Sequence, residues 1–193
     1  MSLKRAGHLS DSIARTTFAK GDIVKDVTVR RRPHDSLALL GFAGLTVLTA
    51  VMGARVTQRG KLPWYRLLRK SSVNPPDWVF GPVWSTLFAL SALSGFRVWR
   101  APASPERQRA LALWMTQLAL NANWSRLFFG QHRPKAALVD LGALLASLAG
   151  YVQLARRVDP GAAYLMTPYL SWVAFAGALN EEVIRKNPKL LTG

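Results

Sequence analysis

The stretch Asn74–Trp84, NPPDWVFGPVW, sets three prolines and a glycine among two tryptophans and a phenylalanine, just ahead of an apolar run. Pro75 and Pro76 cannot carry a helix through, and they press Asn74 toward extended geometry. Asp77 is then the expected N-cap of a new helix, its carboxylate favoured at the positive end. Inside that helix Phe80, Trp84 and Phe88 recur at i, i+4 and i+8, which lines one face with rings. A second set lies in LALNANWSRLFFG, where Asn121 and Trp124 stand at i, i+3 and Phe128 follows one turn on. A third lies in YLMTPYLSWVAFAGALN. There Tyr169, Trp172 and Ala176 share one side, Asn180 is near the end, and Pro168 is expected to loosen or kink the helix.

Rings of this kind stack on flat molecules, and an indole N–H can donate to them. An amide in apolar surroundings must find a partner, because hydrocarbon offers none. The three sets together fit a flat, mostly apolar cavity with a few donors, suited to a planar aromatic or macrocyclic guest. Packing of rings against neighbouring helices and amide ties between helices are the plainer roles for the same residues. The chain has no cysteine, and no nucleophile, metal site or acid–base pair stands out. None of His8, His34 and His132 falls where it would ligate a metal inside the cavity.

These residues need long helices in lipid. Charges bracket nineteen uncharged residues between Asp35 and Arg55, nineteen between Asp77 and Arg97, and twenty-one between Asp159 and Glu181. Each is close to the roughly 20 residues that span a bilayer core. Ala110–Ser125 adds sixteen uncharged residues, extended past Arg126 by LFFG, and Ala136–Ala155 adds twenty that include Asp140. The expected fold is an all-α membrane protein of five transmembrane helices, at about 36–54, 78–98, 110–130, 136–155 and 162–182. Short loops make sequential spans antiparallel neighbours. Residues 1–35 read as a basic, disordered arm, 36–189 as the transmembrane domain, and 190–193 as a tail. The formal net charge of +16 comes in clusters between apolar runs, which favours a bilayer as partner over nucleic acid. Asp140 sits in the first turns of its span, where a structural role is favoured over a functional one. Gly142, Ala146 and Gly150 form a small-residue stripe that allows close helix approach within the bundle or between protomers.

The segments WYRLLRKSSVNPPDWVFGPVW, LALNANWSRLFFGQHRP and PYLSWVAFAGALN, in this order, resemble the translocator protein family, also called tryptophan-rich sensory proteins or peripheral benzodiazepine receptors. The resemblance covers roughly Gly60 to Pro188. It implies a five-helix bundle, expected as a homodimer, in a bacterial envelope or mitochondrial-type organellar membrane. It further implies a pocket near loop 1, the long connection from Arg55 to Asp77, which covers it, and binding of porphyrins or haem as ligand with no required cofactor. Sterols and synthetic aromatic ligands are further candidates. Residue by residue, it assigns Trp64 and Tyr65 to closing the pocket. It assigns Trp84, Phe88, Asn121, Trp124, Trp172 and Ala176 to lining it, beside the Phe128 and Tyr169 read from spacing. A receptor or scavenger tied to tetrapyrrole homeostasis or stress is the first expectation. A porphyrin-degrading enzyme using light and oxygen through Trp84 and Trp172, or a small-molecule carrier, are the alternatives. Ser71 and Arg126 stand where the family usually has proline, and Glu181–Glu182 where its animal sterol motif needs tyrosine. LAGYVQLAR and LPWYRLLR fit only the looser sterol pattern.

Overall fold

The computed structural model describes residues 33–60 and 64–188. The arm up to residue 32, residues 61–63 and the tail from 189 lie outside the described residues. The described elements are α1 (Asp35–Gly60), a short α2 (Trp64–Leu67), α3 (Asp77–Arg100), α4 (Pro105–Ser125), α5 (Pro134–Val158) and α6 (Pro160–Lys186). A π-helical turn, Arg126–Gly130, continues α4. The expected spans each fall on one of the five long helices. Four of these are long and apolar enough to cross a membrane: α1 over Asp35–Gln58, α3, α5 and α6. In α4 the Arg107, Gln117, Asn121 and Asn123 side chains dilute the apolar character.

The long helices close a ring in the order α1, α3, α6, α5, α4, with α4 packing back on α1. Its centre is filled by Trp114, Tyr151, Tyr169, Leu144, Leu148 and Met166, all fully buried. Trp114 is fixed by donating Nε1–H to the Ser91 carbonyl at 2.9 Å and by an edge contact with Phe42. Gly95 leaves room for that ring, since a Cβ there would lie 2.7 Å from it. The stripe on α5 divides: a Cβ at Gly150 would stand 3.0 Å from Leu113 of α4, whereas one at Gly142 would meet open space.

At the end where α3 stops and α4 and α6 start, polar groups are matched to one another. Arg97 donates to both carboxylate oxygens of Asp159 at 3.0 Å, and Asp159 caps α6 by accepting from Ala162 N–H. Burial alone would raise the Asp159 carboxyl, but the Arg97 guanidinium and the Ala162 and Gly161 amides hold it below its ordinary value. Below this, Ser94 Oγ donates to the Ala162 carbonyl and is 2.7 Å from the Tyr151 hydroxyl. Tyr151 is the tyrosine of LAGYVQLAR, and it is fully buried inside the bundle.

One local expectation changes. Pro76, not Asp77, is the N-cap of α3; it holds ψ at 148°, and Asp77 is the first helical residue, still at the positive helix end. Helix α6 continues through Pro168. The carbonyl that Pro168 cannot serve, that of Tyr164, accepts from the Thr167 hydroxyl at 2.8 Å instead. Asp140 proves to be a tie between helices, accepting from Asn123 Nδ2 at 2.7 Å.

Candidate functional site

The ring-bearing faces of α3, α4 and α6 meet in the half of the bundle nearer loop 1. Trp84 packs against Phe88 on its own helix (centroids 5.6 Å apart) and edge-on against Tyr169 of α6 (5.9 Å). Asn121 Nδ2 donates to the Tyr169 hydroxyl at 2.8 Å, so three helices share one buried junction. Phe80, one turn before Trp84, meets Trp172 edge-on at 5.9 Å, and Trp172 tilts against Phe175. Ala176 is half-buried one turn further along α6.

A second cluster forms where α4 ends. Trp124 stacks on Phe128 (5.4 Å) and meets Phe129 edge-on. Both phenylalanines are buried because the π-turn adds a residue to the helical turn, so consecutive rings point inward. Gly130 lets α1 approach this turn, with Val56 3.2 Å from where a Cβ would stand. Loop 1 docks here through α2. Trp64 stacks on His132 at 4.5 Å and touches Phe128, and Tyr65 packs against Phe128 and Phe129. Burial, reinforced by the Asp77 charge, pushes the Tyr65 phenol above its ordinary value, while a hydrogen bond with Asn74 works the other way.

Loop 1 is also tied to the end of α6. Buried Asn187 accepts from Arg69 N–H and donates to the Arg69 carbonyl, both at 2.9 Å, and donates to Val183 O. Lys186 Nζ reaches the Lys70 carbonyl, and Lys70 Nζ lies 3.9 Å over the Tyr65 ring.

Of the sequence-predicted residues, Trp84, Phe88, Asn121 and Tyr169 form one group and Trp64, Tyr65, Trp124 and Phe128 another. Trp172 adjoins the first through Phe80. Sequence reasoning missed His132 and Asn187. His132 adopts a left-handed backbone (φ 54°), which a histidine tolerates better than most residues, and this aims its ring at Trp64. The turn GQHRP gave a weak signal for it. Nothing local marks the tie of Asn187 to loop 1, because its partner Arg69 lies 118 positions earlier.

Two indoles stand apart chemically. Trp124 Nε1 and Trp172 Nε1 are buried and have no hydrogen-bond partner among the described residues, whereas Trp114 Nε1 has one. Open buried donors amid aromatic walls can receive an acceptor from a guest. Among the described residues, no group of three or more His, Asp or Glu side chains could hold a metal ion.

Comparison with known proteins places this arrangement. The model of the TspO/MBR family matches residues 42–185. The chain is 38% identical over 151 residues to the translocator protein of Bos taurus, covering 77% of this chain and 89% of that one. It is 36% identical over 149 residues to the tryptophan-rich protein TspO of Chlorobaculum tepidum, covering 75% and 92%. With protein CrtK of Rhodobacter capsulatus it shares 37% identity over 155 residues, 79% of this chain and 96% of the relative. The match takes in α3 to the last turn of α6, where the aromatic faces lie, and most of α1. With its long apolar helices, this is a multi-pass membrane protein, and it belongs to the TspO/MBR family.

Proposed function

We propose that this protein is a membrane receptor or scavenger that holds a tetrapyrrole, porphyrin or haem, between α3, α4 and α6, with loop 1 as the cover. In this reading all five long helices cross the bilayer, α4 included. Its polar residues turn into the bundle: Gln117, Asn121 and Trp114 are buried. The observation that carries the reading is the pair of open indole donors on Trp124 and Trp172. A porphyrin supplies both a flat face for the half-buried Trp84, which Phe88 and Tyr169 back, and peripheral carboxylates for those N–H groups. The lid role of loop 1 draws on its docking through Trp64, Tyr65 and the Asn187 clamp. Ring stacking and hydrogen bonds are what these side chains offer a guest.

The test is a titration of tryptophan fluorescence with protoporphyrin, in the dark, for protein in lipid nanodiscs. Wild type should quench saturably at micromolar ligand. Trp84→Leu, which removes a stacking wall, should weaken binding about tenfold or more. Quenching that never saturates, or that Trp84→Leu leaves unchanged, would mean partitioning into lipid and would sink the reading. Repeating the titration under illumination asks whether porphyrin is consumed as well as bound.

A further inference from the structure

The opposite end of the bundle carries an open groove. The groove, of about 510 Å³, runs along the outside of α1, α3 and α4, walled by Leu37, Gly41 and Phe42, by Trp99, and by Leu111 and Met115. Its walls are almost wholly apolar. His34 closes it where α1 begins, which is also where α3 ends and α4 starts. From His34 to Leu45 the α1 wall covers eleven helical steps, about 16 Å at 1.5 Å per residue. That is about half of a 30 Å hydrocarbon core, the depth of a single leaflet.

The charges at the mouth are unequally engaged. Arg97 is paired with Asp159, and Arg100 Nε lies 3.4 Å from Asp35 while its guanidinium sits over Phe96. Arg107 stands one turn before Leu111 and two before Trp114, on the face of α4 that walls the groove. Its Nε is buried without a hydrogen-bond partner among the described residues. A donor on a guanidinium left open at a membrane boundary fits a phosphate oxygen. A free phosphate would leave the apolar walls uncovered; a phosphate carrying a hydrocarbon chain would use both.

We infer that this groove is a binding site for an anionic phospholipid of one leaflet, with an acyl chain between α1 and α4 and the phosphate at Arg107 and His34. The site is independent of the tetrapyrrole reading: it lies at the other end of the bundle and shares no residue with the aromatic clusters.

Native mass spectrometry of the full chain, released from vesicles of equal dioleoyl-phosphatidylglycerol and dioleoyl-phosphatidylcholine, tests it. Wild type should retain the anionic lipid in preference to the neutral one. Gly41→Leu fills the groove without backbone conflict, since a Cβ there meets nothing within 4 Å, and should cut retention about tenfold. Met115→Trp blocks the facing wall and should do the same, so one poorly folded variant does not decide the matter. Arg107→Gln should leave chain binding but reduce the preference for the anionic lipid about fivefold. The proposal is overturned if retention ignores both blocking variants, or if both lipids bind alike in wild type. It is equally overturned if the blocking variants dissociate a dimer while lipid stays bound, which would make a second copy the occupant. Displacement of the lipid by inorganic phosphate alone would also count against it, since the chain would then contribute nothing.

Discussion

Polar ties between helices occur at both ends of the bundle, but among the described residues the buried indoles with no acceptor lie in the half toward loop 1. At the end bounded by the α3–α4 and α5–α6 connections, Arg97, Asp159, Ser94 and Tyr151 engage one another at 2.7–3.0 Å. In the half toward loop 1, the indole nitrogens of Trp124 and Trp172 are buried with nothing to donate to among the described residues. A buried donor without an acceptor costs about 1–3 kcal/mol, so a fold that leaves two of them open forgoes stability there. Satisfied groups hold helices together, and open ones mark where a guest can contribute. At the first end Arg107 Nε, one turn from the external groove, is an open donor that follows the same logic.

The sharpest way to break this comparison is at the cover of the open half. Asn187→Ala removes three hydrogen bonds and strands the Arg69 amide, a loss of about 2–3 kcal/mol concentrated on loop 1. Limited proteolysis should then cut loop 1 about thirtyfold faster or more. The bundle's own thermal midpoint should move far less. Unchanged cleavage would show that the stack of Trp64 on His132 holds the loop without the clamp.

A paired substitution asks next whether open and closed indoles differ in kind. Trp124→Phe deletes a donor that has no partner in the protein, so stability should hold while protoporphyrin affinity falls about tenfold, the worth of a hydrogen bond to a charged acceptor. Trp114→Phe deletes one that serves the Ser91 carbonyl and leaves a void at a fully buried site. It should lower the thermal midpoint in nanodiscs and leave affinity alone. The same response from both variants would erase the distinction.

Much of this organisation was legible in the sequence, for identifiable reasons. Charged residues cannot sit cheaply in hydrocarbon, so Asp35, Asp77, Arg97 and Asp159 bracketed runs that became helices. Ring spacing placed Trp84 beside Phe88 and Trp124 beside Phe128, because the 3.6-residue period leaves little choice. What stayed hidden depends on contacts between distant positions or on small backbone departures. The π-turn at Arg126 has no local signature, yet it turns both Phe128 and Phe129 inward. Asn121 read equally well as helix tie or ligand contact; only the position of Tyr169, 48 residues on, shows where its amide goes. The carbonyl that Pro168 leaves without its helical donor, that of Tyr164, is served by the neighbouring Thr167 hydroxyl, a contact that the residue type allows but does not announce.

Smaller effects are expected at the closed end. Tyr151→Phe removes the hydroxyl 2.7 Å from Ser94 while Ser94 keeps its bond to the Ala162 carbonyl. One hydrogen bond within a membrane bundle is worth about 1 kcal/mol, and the thermal midpoint should fall by about 2–4 °C with porphyrin affinity unchanged. A drop in affinity would mean that the two ends are coupled through α6.

The smallest effect is the one with a definite sign in pH. Asp159 is held below its ordinary carboxylate value in the folded protein, so the folded state binds its proton less readily than the unfolded chain does. The resulting stability is present above the unfolded pKa, about 4, and is lost as pH falls through the lower folded value. Asp159→Asn keeps a side-chain oxygen to cap α6 and abolishes the titration. Wild type should therefore exceed the variant at pH 7, by only about 1–2 °C because the pair with Arg97 is partly open to solvent. The gap should close below about pH 4. Raising the salt concentration should shrink the same gap at pH 7, since a solvent-facing pair is screened. A gap that persisted in acid would assign the value of Asp159 to its capping bond with Ala162, which asparagine reproduces less well, and not to its charge.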